Sequence, residues 1–365
     1  MSNDHQIALP VFSDESFWNQ QIDQAAIVSA SSKHWIDLLS QVRPGLGMHI
    51  NLENWTIPVF RANRSTPRYE LIPKLLRCPL SQGHVKASEK KLGPDHPMGI
   101  HASARGGVPI PPEAVPDQQQ DAHMTIIDVE QGRVYDLWQC RRESDGSWHT
   151  NSAIAYDLNG SGVFKQEDLD GIENDESVHF YGPCRASGVP LLAGLIMHEE
   201  ILKGRIEHKL AFACQVPALQ EHVAPPVCWT DGWHPTGLPQ GCTLQLDPEL
   251  DLDAFSLSPA ARIVARALQE YGAVLVDYAD SVTLSGELLS HRDDIGWKPM
   301  LEEEALSVIG FEHYRVLETG PTRRLGSHPV YHQGISRRFY DYIEKNGAAE
   351  LVKHEVWRES MTSPL

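Results

Sequence analysis

The sequence predicts a mainly β fold, a large antiparallel β-sandwich or jelly-roll with a few short helices. Three observations carry it: runs of alternating apolar residues, Gly-containing turns between them, and a chain with 27 Gly and 25 Pro. Taken in order, Phe12, Phe17 and Trp18 lead into Trp35-Ile36-Asp37-Leu38-Leu39, the pattern of a short amphipathic helix ending before Pro44-Gly45. Residues 55–60 predict a strand, and Pro58, lacking an N–H, places it on a sheet edge. Residues 81–121, rich in Gly, Pro, His and Lys, predict one long loop. From His123 the β pattern is clearest. Residues 123–128, 133–140 and 148–156 form a three-strand meander joined at Gly132 and Gly146. A further strand, 205–215, puts Ile206, His208, Leu210, Phe212 and Cys214 on one face, and 243–247 and 273–277 add two more. One helix is marked at both ends: Ser258 caps it, Pro259 suits its first turn, Ile263, Val264, Ala267, Leu268 and Tyr271 form its stripe, and Gly272 stops it. No composition break divides the pattern, so the expected organisation is an N-terminal segment (1–80) packing on a β-sandwich core (81–320), with a C-terminal extension (321–365).

Hydrophobic residues make up 41% of the chain and charged residues 22%, which excludes a disordered chain. No apolar run approaches the ~20 residues that span a bilayer, so no membrane partner is expected. The net charge of −18 argues against nucleic acid. Met1-Ser2-Asn3-Asp4-His5-Gln6 has neither a basic n-region nor an apolar h-region, so no secretory leader is expected and the sequence by itself points to the cytoplasm. Cys78, Cys140, Cys184, Cys214, Cys228 and Cys242 show no CxxC spacing and read as reduced, buried thiols.

Several residues have the chemistry of a catalytic site. Asp121 precedes His123 by two positions, so on an extended backbone both point one way and the carboxylate orients the imidazole as a base requires. His208 is a polar ring on an apolar face, suited either to a cleft or to a buried hydrogen bond. Asp231 lies in Thr230-Asp231-Gly232-Trp233-His234, where Trp229 and Trp233 are suited to stack on a sugar ring; the competing reading is a plain Asp-Gly turn. Trp138, on the meander, is a further stacking candidate. A polysaccharide lyase would need a His or Tyr base, a Tyr acid (Tyr135, Tyr156, Tyr181 or Tyr278) and a cation for a uronate carboxylate, for which Arg185 and Arg205 qualify. A glycosidase would need two carboxylates, drawn from Asp121, Asp231 and Glu200. Residues 157–168 follow much of a calcium-loop pattern through Asp157, Asn159 and Ser161, with Asp168 in place of the usual Glu; a hydrated Asn-Gly turn is the alternative to Ca²⁺. Cys184, beside Arg185, has the setting of an activated thiol, and the basic run from Arg323 to Arg338 reads as a solvated surface. GxSxG, Walker, dinucleotide and HExxH motifs are absent.

Asp121-Ala122-His123-Met124, the run from Ala186 through Ile196, Gly204-Arg205-Ile206 with His208, Thr230-Asp231-Gly232, Pro239-Gln240-Gly241, Leu246-Asp247-Pro248 and the run from Arg266 to Gly272 stand together over roughly residues 100 to 320. In that combination the chain resembles a group of bacterial, largely actinobacterial, β-rich proteins, most of them secreted. The resemblance implies a β-rich fold and an extracellular, carbohydrate-related role, and carries no particular reaction. The expectation is therefore a carbohydrate-active enzyme acting on a polysaccharide or oligosaccharide in a groove on a β-sandwich. Lyase and hydrolase mechanisms stay open, and a non-catalytic glycan-binding module or a structural assembly protein is the rival.

Overall fold

A computed structural model describes residues 7–73, 102–150, 152–164, 185–228 and 230–324. It is rich in strand and poor in helix, with several mixed sheets, none of them closed. The larger of two main sheets has six strands in the order His49–Asn51, Thr283–Ser285, Leu210–Cys214, Ala273–Tyr278, Thr243–Leu246 and Tyr314–Val316. The second has five, in the order Ser152–Asp157, Arg133–Trp138, Met124–Asp128, Ile57–Ala62 and Glu287–Leu288.

The pairing is not purely antiparallel as the sequence suggested. Leu210–Cys214 runs parallel to Ala273–Tyr278, because the intervening chain, which includes the helix Pro259–Glu270, forms a crossover. Ile57–Ala62 runs parallel to Met124–Asp128. The expected meander forms antiparallel as 124–128, 133–138 and 152–157, but its expected third strand, 148–156, is split, and Trp148–Thr150 pairs instead with Arg141–Arg142 and Leu71–Pro73 in a separate small sheet. Pro58 does not mark an edge strand: Ile57–Ala62 lies inside its sheet. The ladder to 124–128 begins only at Val59, so the missing N–H of Pro58 falls before it. The strand expected from 205 begins at Leu210.

The helix Pro259–Glu270 forms as its local signals require. Ser258 Oγ accepts the Ala261 N–H at 3.1 Å, Pro259 opens the first turn, and Gly272 at φ +74 returns its N–H to the Ala267 carbonyl. Its buried stripe of Ala260, Val264, Ala267 and Leu268 joins the helix Ser32–Val42 and one face of the large sheet (Leu210, Phe212, Leu275, Leu284) in the main core. The opposite face, with Ala211, Val274 and Val276, shares a second core with Val59, Ile127, Val134 and Ile154 of the five-stranded sheet. Residues 189–196 run wholly buried into this second core. Such a segment is tolerable only if its backbone polar groups are satisfied. Leu191 N–H goes to Asp136 and its carbonyl to Arg185, while Gly194 at φ +72 passes so close to Ala211 that a Cβ would collide with backbone. A third core, with Trp148, Ile110 and Leu137, covers the outer face of the five-stranded sheet.

Residues 49–51 and 57–62 supply strands to the two main sheets, and 322–324 pair with 221–223, so the described parts of both outer segments are woven into the body. Among the described residues no helix is long and apolar enough to cross a membrane.

Candidate functional site

Four aspartates and an arginine from five separate stretches of chain converge where the two main sheets meet. Asp136 points into the second core from the strand Arg133–Trp138, on the same face as Val134. Its Oδ1 accepts Thr125 Oγ1 at 2.8 Å and Tyr156 OH at 3.1 Å, and its Oδ2 accepts Leu191 N–H at 2.7 Å. Burial pushes its pKa up to about 6, against the pull of those three bonds and of Arg185. Arg185 is itself buried; burial lowers its pKa, while the charges of Asp277 and Asp136 act the other way.

Asp277 lies near the end of Ala273–Tyr278, where the ladder to the neighbouring strand slips. Leu275 faces Phe212 but Asp277 faces Ala213, so Val276 is extra and the strict alternation of faces is broken. Asp277 sits within charge range of Asp231, Arg185 and Asp121. Burial first, then Asp231, raises its pKa well above the carboxylate range. Its Oδ1 accepts the Tyr278 N–H at 2.9 Å. Asp231 comes from the loop after Pro217–Val223, which can pass there because Gly232 lies against the Ala218 carbonyl with no room for a Cβ. Gln240 pins Asp231 from both sides, its amide donating to Oδ1 at 2.7 Å and its carbonyl accepting the Asp231 N–H at 3.3 Å. Burial pushes Asp231 up to about 6, with Asp121 adding to the rise. Asp231 and Asp277 are hemmed in by protein yet only half-buried, so solvent reaches them. Two such neighbours resist ionising together, and the pair holds a proton at a pH where an isolated aspartate has lost it.

Asp121 completes the group. Trp138 Nε1–H donates to its Oδ1 at 3.2 Å, and the Gln139 N–H donates to its carbonyl at 2.8 Å. The two residues flanking this contact, Ala122 at φ +40 and Gln139 at φ +49, hold left-handed backbone that non-glycine residues rarely adopt. Strain of this kind costs about 1–3 kcal/mol and concentrates at functional positions. Close by, Asp117 is buried and pushed up to about 6, first by burial and then, beyond the lowering by the Gln119 N–H, by Asp121.

The structure brings together Asp121, Asp231, Arg185 and Trp138 from among the sequence candidates, and it keeps others apart. The spacing argument for Asp121 and His123 presumed an extended backbone, which Ala122 breaks; half-buried His123 accepts the Asp117 N–H on its carbonyl. His208 is buried, with both ring nitrogens facing acceptors, Glu200 at 3.1 Å and the Lys209 carbonyl at 2.8 Å. Burial opposes the imidazolium, but Glu200 leaves the His208 pKa raised. His208 is thus a donor to Glu200 within the fold, and neither nitrogen turns to His123. Arg205 lies on the surface, paired with Glu207 at 3.2 Å and Glu270 at 3.8 Å. Trp233 is buried, edge-on to His234. In the suspected calcium loop a strand, not a helix, precedes Asp157. Asp157 Oδ1 accepts the Asn159 N–H at 2.8 Å and Ser161 bonds to Val163, as in an Asx-type turn. Among the described residues no group of three or more His, Cys, Asp or Glu is arranged to hold a metal ion. Asp168, Trp229, Tyr181, Cys78 and Cys184 lie outside the described residues. Cys140, Cys214, Cys228 and Cys242 are free and buried.

Sequence reasoning missed Asp136, Asp277 and Asp117. The first two carried a signal, a carboxylate set into an otherwise apolar strand face or at the end of the buried run Ala273-Val274-Leu275-Val276. Another buried acid, Glu287, stands apart on the edge strand; burial pushes it up to about 7, and it accepts the His198 N–H at 3.2 Å. No protein-family model, curated protein or solved structure matches the chain.

Proposed function

We propose that this protein is a carbohydrate-active hydrolase that cleaves a polysaccharide or oligosaccharide in a groove where the two sheets of a sandwich-like body meet. The observation that supports it is the cluster of Asp231, Asp277 and Asp121 within charge range of one another, with Asp231 and Asp277 both raised by burial and by neighbouring carboxylates. Glycoside hydrolysis needs one carboxylic acid to protonate the leaving oxygen and one carboxylate to activate water or attack the sugar. The shared proton of the pair serves the first need: it passes to the glycosidic oxygen as the C–O bond breaks. Asp121, set by Trp138, serves as base, taking the proton of the water that forms the new C–O bond. The Trp138 indole is half-buried beside it and suited to the apolar face of a sugar.

Hydrolysis is favoured over elimination by the state of Arg185. A lyase would use that cation to neutralise a uronate, but it is buried and held among Asp136, Asp277 and the Leu191 carbonyl. An acidic floor in a chain of net charge −18 also repels a polyanion, so the substrate class is neutral glycans.

The test is a panel of neutral and uronate polymers, followed by reducing ends and by the ultraviolet absorbance of unsaturated uronates. Reducing ends from a neutral polymer are expected. Asp277→Asn and Asp231→Asn should each lower kcat by roughly 10²- to 10⁴-fold. Because the pair must be protonated to act as acid, activity should fall as pH rises through about 6. Retention of a glycan with no product would turn the reading to a binding module, and product from both variants at the wild-type rate would end the hydrolase reading.

A further inference from the structure

We propose that Trp55 is a sugar-stacking residue, an added subsite on the rim of the acidic cluster; this rests on the glycan reading above. Trp55 is half exposed, at 50%. It is a large aromatic on a non-glycine left-handed backbone, φ +54, so the fold holds it outward in a conformation that disfavours it. Neighbouring groups keep it there. Asn51 Nδ2 donates to the Trp55 carbonyl at 3.0 Å, and the Thr56 hydroxyl donates to the Gly286 carbonyl. Asn54 Oδ1 accepts the Gln119 side-chain amide at 2.8 Å.

That last bond ties the Trp55 turn to the stretch carrying Asp117 and Asp121. Gln119 is two residues from each, a reach of at most roughly 7 Å along the chain. The sheet register agrees. Val59 faces Thr125 in parallel strands, so the segments leading into them, with Trp55 on one and Asp121 on the other, enter from the same end of the sheet. An exposed indole face tied through Asn54 and Gln119 to a carboxylate-bearing stretch has the complementarity of a pyranose ring, apolar on its C–H face and polar at its rim. Of the described aromatic candidates chosen from sequence, neither fills this place: Trp233 is buried, and Trp138 already donates to Asp121.

The experiment compares wild type, Trp55→Ala and Trp55→Phe, each also carrying Asp231→Asn to stop turnover, by retardation in gels containing each polymer of the panel. In the active proteins KM is measured against chains of increasing length. Trp55→Ala should weaken retardation and raise KM for long chains about tenfold, the equivalent of about 1.4 kcal/mol, with the loss in KM rather than kcat and largely restored by Trp55→Phe. Cleavage by wild type with unchanged KM at every length in Trp55→Ala would overturn the Trp55 site and leave the hydrolase standing. Retardation without cleavage, lost in Trp55→Ala, would do the reverse. A wild type that neither retards nor cleaves any polymer overturns both. Because Trp55 is exposed, its variants should melt with wild type, and that is checked first.

Discussion

Asp136 and the Asp231–Asp277 pair are shielded carboxylates a short distance apart, built for opposite purposes. Asp136 is fully buried, and both its oxygens are engaged by Thr125, Tyr156 and the Leu191 backbone. It is an anchor that lets an apolar segment cross the interior with its peptide groups satisfied. Among the described residues, the pair has one oxygen of each residue engaged, by Gln240 and by the Tyr278 N–H, and keeps some access to water. Burial raises all three, yet only in the pair does a neighbouring carboxylate add to it, Asp121 at Asp231 and both Asp231 and Asp121 at Asp277. A raised pKa therefore does not identify a reactive group here; the unspent hydrogen-bonding capacity does.

The largest effect should come from breaking the anchor. Asp136→Ala strands the Leu191 N–H and two hydroxyls and leaves Arg185 short of a countercharge. Removing one partner of a buried charge costs about 3–5 kcal/mol, read as a fall in the urea midpoint, with residues 189–196 losing amide-exchange protection first. If Asp136→Ala folds as stably as wild type, the distinction between anchor and pair fails.

Asp231→Asn should behave in the opposite sense. The folded pKa of Asp231, about 6, lies above that of an ordinary aspartate, about 3.9. Its contribution to stability is therefore full below about pH 4 and is lost as pH rises through 6. At pH 8 the wild type carries a charge the fold resists and the Asn variant does not, so Asp231→Asn should match or exceed wild-type stability there by about 1–3 kcal/mol. Near pH 4 the advantage should vanish. Melting curves at the two pH values decide it; a variant equally destabilised at both would make Asp231 another anchor.

The same contrast explains what the sequence could disclose. The helix Pro259–Glu270 is legible because cap, proline, stripe and terminal glycine are all local. Asp121, Asp231, Arg185 and Trp138 could be singled out by residue type and setting. Their meeting could not be foreseen, because it depends on parallel pairings between strands far apart in sequence and on the one-residue slip at Val276. Period-two patterns say which residues share a face, not which strands are neighbours. His208 misled for the converse reason: an inward polar ring looks alike whether it faces a cleft or, as here, a buried glutamate.

The smallest effect concerns the backbone that carries Asp121. Ala122 at φ +40 is strained, and glycine adopts that conformation without the Cβ clash. Relief of roughly 1–2 kcal/mol is partly offset by glycine's greater freedom in the unfolded chain, about 0.4–1 kcal/mol, so Ala122→Gly should stabilise by a few tenths to about 1 kcal/mol. Turnover is the more telling readout. If the strain serves to hold Asp121 under Trp138, the variant should gain stability and lose kcat together. A gain in stability with kcat intact would mean that the Trp138 and Gln139 bonds fix Asp121 alone, and that the left-handed residue is a consequence of closing the loop onto Gln119.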